Sequence, residues 1–169
     1  MFLNEDPKTT SNVIEINGKV GESTNIWSQD KTVLGYTNVA YQHIHKSAQC
    51  YPSLADGVVI AGGAGVWTLG DFVEIIPENA IPTAFDIHWI IPEEASASTV
   101  YELVLYSGTV GNEVEIARVR TRQSNPVSGA ISIPVQIPPQ VANSRISAKL
   151  ASAVGGSSLT ISLFYHQYS

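Results

Sequence analysis

The sequence predicts an all-β fold, an antiparallel β-sandwich of about nine or ten short strands. Three observations predict it. Apolar and polar residues alternate with a period of two in run after run, Gly, Pro and Asn-containing turns punctuate those runs, and no window sustains a capped 3.6-residue apolar period.

In chain order, residues 1–40 are polar, with brief apolar islands at Val13, Ile14 and Ile16 and at Val33-Leu34. These islands are too short for a core of their own. The segment reads as an extended N-terminal arm in which Val13 to Ile16 add as a strand and Ile26 and Trp27 anchor it. The alternative is a first strand and loops of the body, which spans residues 41–169.

In the body, Tyr41 to His45 alternates briefly, and Asp56-Gly57 turns into Val58 to Ile60. The Gly62 to Gly65 joint precedes Val66 to Leu69, and Phe72 to Ile76 ends at Pro77. Thr83 to Ile91 places Phe85, Ile87 and Trp89 on one face opposite Asp86 and His88, and Pro92 should close it. Thr99 to Tyr106 is apolar on both faces, which suits a central strand or one with its second face covered. In Glu113 to Arg122 the apolar phase switches between Ile116 and Ala117, predicting a bulge there or a two-sided strand.

Gly129 to Ile137 is the clearest strand, with Ile131, Ile133, Val135 and Ile137 facing a core. Pro134 lies on its polar phase and lacks a ladder donor, so the strand belongs at an edge. Ser144 to Ala151 turns Ile146, Ala148 and Leu150 inward; after Gly155-Gly156, Leu159, Ile161, Leu163 and Tyr165 do the same. A jelly roll is the preferred winding and an immunoglobulin-like sandwich the second.

The 169 residues suit one domain with an extension. Net charge is −6 with 14% charged residues, which disfavours a basic nucleic-acid face. Sparse charge with 44% hydrophobic content favours burial in an oligomer or assembly. Cys50 is the single cysteine, so no intrachain disulfide forms. No apolar stretch approaches the ~20 residues of a membrane-spanning helix, and the first residues lack a secretory pattern, so no membrane partner is expected.

Candidate chemistry is thin. His43 and His45 point to one strand face and could share an ion, with His88 and His166 joining if their strands are neighbours. The spacing resembles that of the cupins, but Gln49 stands where their carboxylate belongs and their Pro-x-Gly motif is absent. The preferred reading is therefore polar-face histidines, with no catalytic residue, no metal and no cofactor. Glu93-Glu94, Glu113/Glu115 and Asp86/Glu102 read as surface carboxylates, with Asp86 and Glu102 the pair most worth following. Arg118, Arg120 and Arg122 line one strand face, suited to ion pairing within or between subunits, then to another partner surface. Trp27, Trp67 and Trp89 could stack sugars, and for Trp67 and Trp89, in strand-like contexts, core packing is the preferred reading.

The segments His43 to Val59, Val66 to Gly70, Phe85 to Ile90 and Ala142 to Ser152 together resemble small tailed-bacteriophage structural proteins, of the capsid decoration or cement type. The resemblance covers about residues 41–168. It implies a non-enzymatic virion protein, made in the host cytoplasm, that binds the major capsid protein or other virion proteins and forms homotrimers. Val13, Ile14, Ile16, Ile26, Trp27, Arg118, Arg120, Arg122 and Pro134 are then the interface candidates. Deleting residues 2–38 is expected to abolish shell binding in co-sedimentation and to leave the body folded; retained binding would reject the arm. A tail, baseplate or glycan-binding receptor module is the alternative, and a cupin-like metal enzyme the third reading.

Overall fold

A computed structural model describes residues 48–127 and 132–168, all within a compact unit that runs His45–Ser169. The expectations for residues 1–47, including the arm, its apolar anchors, His43 and His45, lie outside the described residues, as does Ile131.

Nine strands are described and no helix is present among the described residues. They are β1 (Gln49–Tyr51), β2 (Val58–Ala61), β3 (Val73–Ile76), β4 (Phe85–Ala95), β5 (Thr99–Ser107), β6 (Val114–Gln123), β7 (Ile133–Pro134), β8 (Ile146–Ser152) and β9 (Ser158–Gln167). All ladders are antiparallel. Sheet I has the order β1-β9-β4-β7, with β2 also beside β9, and sheet II the order β3-β8-β5-β6. This is the two-sheet antiparallel sandwich that the alternation predicts.

The inward residues of both sheets make one core. Ile87 and Ile90 of β4 and Leu159, Ile161 and Leu163 of β9 meet Leu103 and Leu105 of β5 and Ile146 and Leu150 of β8. Each such side chain stabilises the fold by roughly 1.5–3 kcal/mol on burial. Tyr101 is also fully buried, and its hydroxyl donates to the Ala97 carbonyl at 2.8 Å while accepting from the Ala97 N–H at 3.1 Å. That satisfies a polar group that burial would otherwise penalise.

The predicted bulge in β6 is present: Leu105 faces Ala117 and Tyr106 faces Glu115, so Ile116 is the extra residue. Both Gly155 and Gly156 take positive φ (71° and 62°) in the turn that carries the chain from β8 in sheet II to β9 in sheet I. Residues 132–137 keep their alternation, with Ile133, Val135 and Ile137 more buried than the exposed Pro134 and Gln136. Among the described residues the ladder pairing is Ile133–Pro134 against Trp89 and Ile90, and β7 ends the strand order of sheet I, a place that suits Pro134.

Strand β4 departs from expectation in two ways. It runs through Pro92 to Ala95: among the described residues, β7 reaches only Trp89 and Ile90, and no second strand pairs with β4 at Pro92. It also carries two bulges against β9. Phe164 faces Trp89 while Tyr165 faces Ile87, making His88 extra, and Thr160 faces Glu94 while Ile161 faces Pro92, making Glu93 extra. The first bulge moves Trp89 off the phase of Phe85 and Ile87. The core position passes to Ile90, and Trp89 stacks edge-on against Phe164, whose centroid is 5.7 Å away. Trp89 is therefore not the core residue that its spacing suggests.

Candidate functional site

The outer face of sheet II carries the densest arrangement of functional side chains. On β5, Tyr101, Leu103 and Leu105 turn inward, so Glu102, Val104 and Tyr106 turn outward by alternation. Val104 is nevertheless fully buried, and so is Ala151 on β8. A second layer covers them.

That layer comes from β6, β8 and the loop before β3. Arg118 Nη2 meets Glu115 at 2.6 Å and its Nη1 meets Glu102 at 2.9 Å, while Arg120 Nε donates to the other Glu102 oxygen at 2.9 Å. Arg120 also lies over the Trp67 ring, 4.3 Å from its centroid, and Lys149 Nζ lies 4.3 Å from that of Phe72. Phe72 packs edge-on against Tyr106 at 4.9 Å. Cation–ring contacts of this kind hold both partners in place and contribute about 0.5–1 kcal/mol at exposed sites.

Trp67 is thus neither a strand nor a core residue. It sits in a loop at φ +56°, its N–H donating to the Ser152 carbonyl at 2.9 Å, and remains 39% exposed; Phe72 is 40% exposed. With the exposed Val66 beside Trp67 in the same loop, this face presents aromatic and apolar groups set among paired charges.

The arginine row is ion-paired as its alternation suggests, through Arg118 and Arg120; Arg122 is exposed and has no ion pair among the described residues. Partial desolvation pushes the Glu102 carboxyl up, but hydrogen bonds and charge from Arg120, joined by Arg118, outweigh it and hold the group below its ordinary range. A depressed folded value means the pairing stabilises above the unfolded pKa of about 4.3 and is lost as pH falls through the folded value. Melting curves should therefore show wild type more stable than Glu102→Gln at pH 7, with the gap closing below about pH 4.

Glu113 is not a solvated carboxylate. It accepts from Arg145, whose side chain is 9% exposed, at 3.2 Å and from the Gly111 N–H at 2.7 Å; Arg145 also meets Glu74 at 2.6 Å and donates to the Gly108 carbonyl at 3.1 Å. This network ties the β5–β6 turn to the start of β8 and to β3. Asp86 and Glu102 do not form a pair, since they project from the outer faces of different sheets.

On the outer face of sheet I, Asp86, His88 and His166 do come together. Their strands are neighbours, Asp86 faces His166 in the register, and His88, the extra residue of the bulge, shares the face of Asp86 by alternation. His88 Nε2 lies 3.1 Å and His166 Nδ1 3.8 Å from Asp86 Oδ1, and the Tyr168 hydroxyl donates to Asp86 Oδ2 at 2.6 Å. Burial first, then this bond to Asp86, pushes the Tyr168 phenol well above its ordinary range, so it remains a proton donor. Cys50, on β1 opposite Phe164, is not activated: burial pushes its thiol up, and the Glu93 charge adds to this against a bond from Ser162.

Two signals in the sequence could have found Trp67: the flanking glycines, which forbid a regular strand, and the outward arginines of β6 in need of a partner. The position of Phe72 had no such signal. No protein-family model matches the chain, and no curated protein is significantly similar to it. Among the described residues, no helix is long and apolar enough to cross a membrane.

Proposed function

We propose that this chain is a non-enzymatic structural protein of a tailed-phage virion, of the decoration or cement type, whose sandwich docks on the assembled capsid shell through the outer face of sheet II. The observation that carries the docking face is the Trp67/Arg120 and Phe72/Lys149 layer over Val104. Tryptophan, tyrosine and arginine dominate the energetic centres of protein interfaces. Here Arg120 is held by its ion pair with Glu102, and Trp67 and Phe72 by Arg120, Lys149 and Tyr106, before any partner arrives, which lowers the ordering cost of binding. The capsid assignment itself is supported by the resemblance of residues 41–168, and the sparse charge of the chain agrees with burial in an assembly. The major capsid protein is the proposed partner, and homotrimers the proposed form.

Co-sedimentation of the full chain with assembled capsids lacking it tests the reading. Saturable binding that purified glycans do not compete is the expected result. A glycan-binding tail or receptor module is the second reading, favoured by one observation: the indole of Trp67 is 39% exposed on a loop, as a sugar-stacking ring would be. Binding of the isolated protein to host-cell glycans, with none to capsids, would establish that reading instead.

A further inference from the structure

We infer that Asp86, His88 and His166 form a binding site for a divalent transition-metal ion of the zinc class on the outer face of sheet I. The three potential ligand atoms, one from each residue, lie within 4.8 Å of one another. Around a tetrahedral ion with bonds of about 2.0–2.1 Å, ligand atoms stand about 3.3 Å apart. The 3.1 Å and 3.8 Å separations from Asp86 Oδ1 bracket that value, so small rotations of the imidazoles bring the set onto one ion.

The fold builds this triad from distant parts of the chain. His166 is brought beside Asp86 by the β4–β9 register, although eighty residues separate them in the sequence, and His88, two residues after Asp86, shares its face of β4. The donor chemistry also fits. Two imidazoles and one carboxylate suit zinc-class ions rather than calcium or magnesium, which prefer oxygen ligands throughout. The Tyr168 hydroxyl donates to Asp86 Oδ2 and thereby orients Oδ1 toward the two imidazoles, the supporting contact that metal carboxylates commonly have. Trp89, 5.4 Å from His88 and 6.5 Å from His166 between ring centroids, flanks the cluster and limits water access on that side. Among the described residues the site offers three protein ligands.

Bound metal would clamp β4 to the end of β9. The site lies on the outer face of sheet I, whereas the docking face belongs to sheet II. The test is titration of the full, metal-stripped chain with Zn2+ by calorimetry, and with Co2+ by visible absorption, which reports coordination directly. One equivalent of either ion should bind at saturation and raise the melting temperature. His88→Gln and His166→Gln should each weaken binding by roughly 100-fold or more, and Tyr168→Phe by about 10-fold. Circular dichroism of each variant separates ligand loss from misfolding. Absence of saturable binding by the wild-type chain overturns the site. So does binding that persists unchanged in a folded His88→Gln/His166→Gln variant and disappears in His43→Ala/His45→Ala.

Discussion

Replacing Gly70 by alanine is expected to lower the stability of the sandwich by roughly 3 kcal/mol, the upper range for forced overpacking. The chain passes from β2 in sheet I to β3 in sheet II through residues 62–72, and Gly70 is pressed against the incoming strand there. A Cβ at Gly70 would overlap the Ala61 carbonyl oxygen and lie within 3.2 Å of the Gly62 carbonyl carbon. These are backbone atoms with no rotamer to yield. Moving them would disturb the Gly62 N–H bond to Ser157 at 2.8 Å and the Gly70 N–H bond to Leu150 at 2.9 Å, which hold the crossing to both β-layers. Thermal melts should show a fall of about 6–12 °C for a protein of this size. Gly111→Ala is the matched control, because φ there is +89° but no atom lies within 4 Å of the added methyl group. Its cost should stay near 1–2 kcal/mol, the backbone term alone. Equal effects at the two positions would show that the crossing is not tightly packed.

The second large effect concerns binding rather than folding. Trp67→Ala combined with Phe72→Ala should weaken capsid binding by at least ~100-fold, equivalent to about 2.7 kcal/mol. Both rings are about two-fifths exposed, so their removal withdraws contact area from a partner more than from the core. It also releases Arg120 and Lys149 from their ring faces and loosens the arrangement that binding relies on. Circular dichroism should remain that of a β-protein, with melting lowered by only a few degrees, about 1 kcal/mol. Binding that survives the double substitution would remove the sheet II face from the account.

Period-two patterning made much of the fold readable. Leu159, Ile161, Leu163 and Tyr165 on β9 and Ile146, Ala148 and Leu150 on β8 face the core as their spacing dictates. The bulge at Ile116 was readable because the apolar phase visibly changes across it. The bulge at His88 was hidden. Phe85, Ile87 and Trp89 alternate without interruption, and only the cross-strand register shows that Ile90 rather than Trp89 is inside. Pro92 misled for a related reason: a proline ends a strand paired on both sides, whereas among the described residues β4 is paired at Pro92 only with β9.

The candidate sites were legible only as residue types. Arg118 and Arg120 could be seen to share a face, but Glu102 as their common partner depends on the β5–β6 register. His88 and His166 were recognisable as ligands in want of neighbouring strands; Asp86 and Tyr168 completing the group is a tertiary fact. Trp67 was misplaced because its positive φ and its contact with Arg120 are set by a loop between two glycine-rich joints, where alternation carries no information.

The docking claim is tested most directly by cryo-electron microscopy of the virion that carries this chain, at a resolution that shows side chains. The account predicts density for the sandwich on the capsid shell, with Trp67, Phe72 and Arg120 buried against the shell protein. A sandwich located on the tail, or one on the head with the outer face of sheet II in solvent, would contradict it.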